Sequence, residues 1–363
     1  MGFLTFYLIA LLPVVIGGVL WVTRREMHHW EWLGGTAAAF TVAGAMHGAA
    51  VSSMTADTEV WSGEVTHVRF RPEWRERYTV THTTTTTNSD GSTSTQTYTT
   101  THYTTHPDKW YAHTTLHQEL DISAARYREI GSNFGGESTK KRGVRSTWRE
   151  SSTVVGGDPY DYLVYNRSRH IEPVIRGVSF SNRVKATPSV FSYRKLSEEE
   201  ASALPDYPEA RNVWRSDRVI GAPVSIRLWD EMMAKLGPEK KVNLILVRLP
   251  SQTDATDLEA KWIGGKKNDL VLCYGTGWSY VFGWTEQEMV KRTLETLLLG
   301  DVGDSMLPEI EAIVREHYEL VDWSKFGYLS LEPRRVHYVI LLLVMVLTQA
   351  GLHWYFLLND LDK

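Results

Sequence analysis

The sequence predicts an α+β protein anchored in a membrane. Three transmembrane helices would hold a β-rich region with a long threonine-rich hairpin, followed by an α/β sandwich. Three observations carry this expectation. Long uncharged runs lie at both ends of the chain, a polar body separates them, and the body changes half-way from strand-like alternation to alternating helix and strand. The 363 residues suffice for two or three domains. With 42% hydrophobic and 23% charged residues, a mainly disordered chain is excluded. The formal net charge of -4 gives no reason to expect nucleic acid as a partner. A single cysteine, Cys273, excludes an intrachain disulfide and a thiolate zinc cluster.

Taken in order, Phe3 to Val22 carries no charge and has the ~20 residues needed to cross a hydrocarbon core. No Lys or Arg precedes it and no small-residue cleavage site follows, so it reads as a span rather than a secretory signal. The second run, Trp32 to Met54, is rich in Ala and Gly, with His47 as its one ionisable residue. Its small residues, Gly34-Gly35 and Gly44 to Ala50, would let another helix approach closely. His47 is expected to pack beside Gly44 and Gly48 rather than to mark a polar pathway. The third run, Val336 to Leu358, ends in Trp354, Tyr355 and Phe356, an interfacial belt matched by Trp30 and Trp32. The expected division is therefore two spans within 1–54 (3–22 and 32–54), a β-rich domain over 55–200, an α/β domain over 201–332 and a last span over 336–358. Arg24 and Arg25 lie in the short loop between the first two spans and favour that loop in the cytoplasm, which puts the body outside. Arg334 and Arg335 argue the other way, but a long domain constrains orientation less than a short loop.

The β-rich region contains an arm, 76–106. Tyr78-Thr79-Val80-Thr81-His82 leads into Thr83 to Thr87, then Asn88-Ser89-Asp90-Gly91, then Ser92 to Thr105. Threonine favours strands, and Asp-Gly between two such runs is a hairpin signal; the alternative is a Thr-rich loop. A turn centred on Asp90-Gly91 places Tyr78 opposite Tyr103 and His82 opposite Thr99. The outer arm has little to bury, so it should lean on a neighbour. Further strands are expected at Trp110 to Leu116, Ser152 to Val155, Tyr160 to Tyr165 and Ile171 to Phe180. Lys140-Lys141-Arg142 reads as a solvated loop, with a phosphate or lipid headgroup contact as the other reading. Ser197-Glu198-Glu199-Glu200 starts a capped helix, and Pro205 and Pro208 mark the domain boundary.

The second half alternates. A helix over Ser225 to Leu236 is stopped by Gly237-Pro238, and Val242 to Val247 is a buried strand. A helix over Asp254 to Trp262 ends at Gly264-Gly265. Strands follow at Leu270 to Tyr274 and Trp278 to Phe282, then a helix introduced by a capping box at Thr285 to Glu288, and a last helix after Pro308. Of the 14 Trp residues, those spread from Trp61 through Trp148 to Trp323 fit core and interface packing.

Leu258 to Gly265, then Lys266-Lys267-Asn268-Asp269 and Leu270 to Cys273, continued by Trp278 to Trp284 and Glu286 to Leu299, resemble the TPM domain. The whole chain is similar to membrane proteins of bacteria and tailed phages that share the paired N-terminal spans, a variable hairpin arm, a segment like Phe180-Ser181-Asn182-Arg183-Val184-Lys185-Ala186 and the Gly-Gly-Lys-Lys-Asn-Asp run. The resemblance implies an α/β sandwich of membrane-anchored bacterial proteins, associated with weak phosphatase activity, divalent-metal binding, or assembly of membrane complexes. After the second strand the sequence departs from the family: Trp278 to Trp284 stands where a Gly-Tyr-Gly turn is expected.

Candidate chemistry is sparse. Asp254, Asp257 and Asp269 could bind a divalent metal at strand ends, although the first two also suit a helix start. His102 and His106, like His113 and His117, share a strand face but stand ~13 Å apart, too far to share one zinc. Nucleophile and P-loop motifs are absent from the sequence, and Cys273 reads as a buried thiol. The expected function is a non-enzymatic interaction or scaffold protein of the bacterial inner membrane with its body outside the cytoplasm. Its partners would be the bilayer, other membrane or envelope proteins and a second copy of itself, with no cofactor. The alternative is a membrane-tethered, metal-dependent phosphatase using the three aspartates.

Overall fold

The second helix of the chain runs without a loop into the first strand, and everything else is arranged around that continuous element. A computed structural model describes residues 3–24, 29–87, 91–145, 152–187, 193–210 and 212–359. Expectations resting on Arg25, on Asp90 and on Trp148 lie outside these residues. α1 (Leu4–Arg24) and α2 (His29–Thr55) are followed directly by β1 (Ala56–Arg71).

β1 bends across two sets of partners. Its first half pairs antiparallel with β9 (Pro173–Ser181), and its second half with β4 (Lys109–Thr114) on one side and β8 (Tyr160–Tyr165) on the other. β5 (Glu119–Ile122) and β6 (Thr139–Arg142) extend this sheet at its edges. The Lys140 cluster is thus an exposed edge strand rather than the expected loop, because its backbone pairs with β8. Val65, Val68, Ala112 and Val164 face Ile130 of α3 (Ala124–Asn133) and Phe134 just beyond it, which closes one core.

The arm is a ribbon of β2 (Trp74–Thr87) and β3 (Thr93–His106), joined at its base by β7 (Thr153–Gly157). Its register differs by one residue from the expected one. Tyr78 stands opposite His102 and His82 opposite Tyr98. A one-residue slip reverses which side chains share a face. In the observed register every odd-numbered residue from Thr79 to Thr87 faces an odd-numbered threonine between Thr93 and Thr101. All of these threonines are exposed. The other face carries stacked rings: Trp74 on His106 at 3.9 Å, Tyr78 on His102 at 5.3 Å and His82 on Tyr98 at 4.9 Å.

After the single-turn α4 (Arg183–Ala186) and α5 (Glu198–Ala203), a capped helix as expected and closed by a Ser197–Glu200 capping box, the chain enters its α/β half. β10 (Val219–Ile220), β11 (Asn243–Arg248) and β12 (Asp269–Gly275) are parallel, and β13 (Trp278–Gly283) closes the sheet antiparallel. Period-two alternation sorts the side chains. Leu244, Leu246, Leu270 and Leu272 enter the layer with α6 (Ile226–Lys240), which packs beside the later helices α8 (Met289–Leu298) and α9 (Leu307–His317). Ile245, Val247, Val271 and Cys273 enter the opposite layer beneath α7 (Gln252–Trp262). Burial on both faces explains the continuous apolar strands.

Two local expectations are corrected here. α6 continues through Gly237-Pro238 to Lys240, and a left-handed Lys241 ends it. Gly237 is there for proximity: a Cβ would lie 2.2 Å from the Ser62 carbonyl oxygen, so the helix rests directly on β1. Thr285 to Glu288 is not a capping box; α8 begins at Met289 without a side-chain cap, and the Thr285 hydroxyl donates instead to the carbonyls of Glu319 and Gln287. The stretch expected as a domain boundary serves both cores, with Leu204 and Tyr207 on the α/β side and Trp214 on the β side.

α10 (Arg335–Asn359) returns to α1 and α2 and forms a three-helix bundle with them. Phe6, Ala10, Ala39, Ala43, Leu341 and Met345 fill its interior. Where three spans are expected, α10 alone among the described residues is long and apolar enough to cross a membrane, over Arg335–Phe356, and Leu4–Val19 is a shorter apolar stretch. The Ala- and Gly-rich composition of α2 keeps its hydropathy low. Gly34 and Gly35 do face α10, but Gly44 and Gly48 face open space rather than a neighbour. His47 packs under Phe3 at 4.2 Å and shares a hydrogen bond with the Tyr7 hydroxyl at 3.1 Å.

Candidate functional site

Both quoted motifs meet where α2 becomes β1. Asp57 and Glu59 alternate along the start of β1 and are buried, while Thr58 between them is exposed. The Asp57 carboxylate accepts from the Lys266 ammonium, from Asn182 Nδ2 at 2.8 Å and from the Thr58 N–H at 2.9 Å, with Lys185 Nζ 3.8 Å away. Burial pushes this carboxyl up, but the bonds from Lys266, Asn182 and Thr58 outweigh it and hold Asp57 below the usual carboxylate range. Lys267 reaches Glu59 at 3.5 Å. Asn268 Nδ2 donates to the Val60 carbonyl at 2.8 Å and to the Lys241 carbonyl at 2.9 Å.

The Gly-Gly-Lys-Lys-Asn-Asp run is therefore a turn whose four polar side chains each bind a different part of the junction. Gly264 and Gly265 both take left-handed φ values, +73° and +83°, which aim the turn at β1. Asn182 also accepts from the Lys185 N–H at 2.9 Å, so the Phe180 to Ala186 segment is locked to the same carboxylate.

A buried network continues inward. Asp269 accepts from the Tyr207 hydroxyl at 2.8 Å, Asn243 Nδ2 at 2.8 Å and the Lys266 N–H at 2.6 Å. Burial pushes Asp269 upward against those bonds, and burial with the neighbouring Asp269 charge keeps the Tyr207 hydroxyl protonated. Arg218, fully buried, donates to Ser62 at 2.6 Å, Asp230 at 2.8 Å and Asn243 at 3.2 Å, tying β1 to the α/β half.

Beside this cluster lies an open cavity of about 660 Å³, lined by Ser52 of α2, Asp57, Ser181, Lys185, Tyr207 and Lys266 among others. A smaller cavity of about 330 Å³ adjoins it, with Arg183, Lys267 and Trp323 in its wall. The junction offers ammonium groups and carboxylates already paired to each other. Such a set can hold a polar group or transmit a shift of α2 into the body.

The three aspartates are not brought together. Asp254 closes a capping box, accepting from the Ser251 N–H at 3.0 Å and hydroxyl at 2.8 Å. Asp257 accepts two bonds from Arg194, at 3.0 and 2.7 Å. Asp269 pairs with Asn243 at the start of β11, whereas α7 follows the far end of that strand. A strand of this length separates Asp254 from Asp269 by roughly 15–20 Å. No cluster of three or more metal-ligating side chains occurs among the described residues. The histidine pairs also disperse. His102 and His106 belong to the ring stacks of the arm, His113 stacks on His67 at 4.3 Å, and His117 takes a left-handed turn conformation. Cys273 is buried, and burial pushes its thiol well up.

Comparison with protein-family models, with curated proteins and with solved structures finds no match for the chain. Asp57, Asn182, Tyr207 and Arg218 are the site residues that sequence reasoning missed. The alternation of Asp57 and Glu59 directly after an apolar helix was the available signal, since two acids on one strand face need partners when that face is covered.

Proposed function

We propose that the chain is a membrane-anchored, non-enzymatic interaction protein of the bacterial cell envelope. In this reading α1, α2 and α10 lie in the inner membrane and hold the β arm and the α/β half outside the cytoplasm. The partners are the bilayer and other membrane or envelope proteins. The observation that supports it is the apolar outer surface of the bundle, whose helices also meet at buried alanines. Alanines Ala10, Ala39 and Ala43 lie fully buried between the helices. Leu8, Leu12, Leu343, Val346 and Leu347 point outward, each more than half exposed. Large apolar side chains left facing outward, around helices that approach closely at alanines, suit a lipid solvent. Trp354 and Tyr355 near the end of α10 supply interfacial rings.

The scaffold reading is also favoured by the dispersal of the three aspartates. Asp254 closes a capping box, Asp257 pairs with Arg194 and Asp269 bonds Asn243, so the metal-dependent alternative has its three carboxylates in separate arrangements. Alkaline carbonate extraction of membranes holding the full chain is the test. Retention in the pellet is expected, and release into the supernatant with the peripheral proteins contradicts anchoring.

A further inference from the structure

Several strand edges among the described residues are protected. β5 and β6 are four residues long and carry Glu119 and Asp121, or Lys140 to Arg142. β10 has two residues. The edge of β13 is covered by α8, whose Glu295 accepts the Val281 N–H at 3.1 Å and whose backbone takes the Ser279 hydroxyl at 2.7 Å. Short strands, charges and covered backbones are the usual defences against edge-to-edge pairing. β3 has none of them. It is 14 residues long, contains no Lys, Arg, Asp, Glu or Pro, and pairs with β2 alone among the described residues. Its register with β2 is continuous from Thr93 to His106, so no bulge turns the edge away.

We infer that this edge pairs antiparallel with the same edge of a second copy about a two-fold axis at Thr100, giving a four-stranded sheet. This names one partner within the interaction reading proposed above and does not depend on membrane anchoring. Parity narrows the choice, and the ring pairs select within it. Only registers that pair even with even residues keep the threonine faces of both copies on one side. About Thr100, Tyr98 comes opposite the second copy's His102, and Thr99 opposite the second copy's Thr101. The Tyr–His juxtaposition is the one the arm already uses twice, with Tyr78 on His102 and His82 on Tyr98 tilted by only 16° and 18°. Across four strands the rings line up as Tyr78, His102, the second copy's Tyr98 and the second copy's His82. No charged side chain meets another anywhere along β3. A two-stranded ribbon, marginal in water, gains two neighbours and the hydrogen bonds of a full ladder.

Directly opposed residues in antiparallel strands have Cα atoms ~4.5–5.5 Å apart, inside the range a disulfide tolerates. The test oxidises the full chain in its native membrane, where the one natural cysteine, Cys273, is buried. Thr100→Cys is expected to convert most of the protein to a disulfide-linked dimer. Gln96→Cys alone is expected to give none, because it would face the second copy's residue 104, and Gln96→Cys with Thr104→Cys is expected to restore the dimer. The double variant leaves Thr100 intact, so a lost fold at that position does not obscure the result. Absence of dimer in both Thr100→Cys and the double variant overturns the pairing, as does linkage of Gln96→Cys alone to the same extent. A chain that resists alkaline extraction yet never links fails this inference only, and one that links but is extracted fails only the anchoring.

Discussion

Asp57 is the side chain that the junction is built around. It is buried, and it receives Lys266 from one motif and Asn182 from the other. Removing one member of a buried pair leaves the other as an uncompensated charge, which costs about 3–5 kcal/mol. Asp57→Ala is therefore expected to lower the stability of the detergent-solubilised full chain by about that amount, and Asp57→Ala with Lys266→Met to recover much of it. Thermal unfolding of the single and double variants measures this. A single variant within about 0.5 kcal/mol of the parent would mean the pair is ornamental. The geometry of this site was half legible. Lys266 to Asp269 stood out as a polar run between a helix and an apolar strand. Its acceptors did not, because Asp57 lies far away in sequence and only the fold brings it near.

At the scale of elements, the cross-strand pair His67 and His113 sets an acid limit. β1 and β4 place the two rings at 4.3 Å, nearly parallel. Burial first, then the neighbouring His113, Arg69 and Lys141, push His67 down to about 4, and burial with Arg69 and Arg71 lowers His113 as well. A histidine depressed in the folded state is neutral there, while the unfolded chain binds protons from about pH 6.5 downward. Stability from His67 is thus complete above about pH 6.5, falls as the pH drops toward 4, and falls no further below that, and His113 acts in the same direction. Asp57 acts in a separate, lower window, because its depressed carboxyl loses its contribution only as the pH falls through the folded value. His67→Phe should flatten the loss of thermal stability between pH 6.5 and 4, by several degrees. An unchanged slope in a melting series across that range contradicts the assignment.

The elements also show what sequence could and could not supply. β11 and β12 were legible because both faces are buried, so the strands read as unbroken apolar runs between helices with clear caps. β5, β6 and α3 were missed because four-residue edge strands and a short polar helix carry almost no periodicity. The arm was legible as a hairpin, but its register was not. Threonine on both faces removes the hydrophobic alternation that normally fixes pairing, and only the ring stacks of Trp74, Tyr78 and His82 distinguish one side from the other.

The whole molecule is a single mechanical path: the bundle, the unbroken passage from α2 into β1, and β1 as the spine of the β half and the seat of α6. Ser62 on that spine receives Arg218 from the α/β half, and Gly237 lets the helix rest on it. The arm projects from the same body through β2. The proposed placement of the bundle in a membrane, with the arm on the outer side, is open to a direct test. Labelling Ser92→Cys, at the arm tip, with a membrane-impermeant thiol reagent in intact cells tests this most directly, since buried Cys273 stays silent. Full labelling without permeabilisation is expected; labelling that appears only after the cells are opened would put the arm on the inner side and overturn the placement.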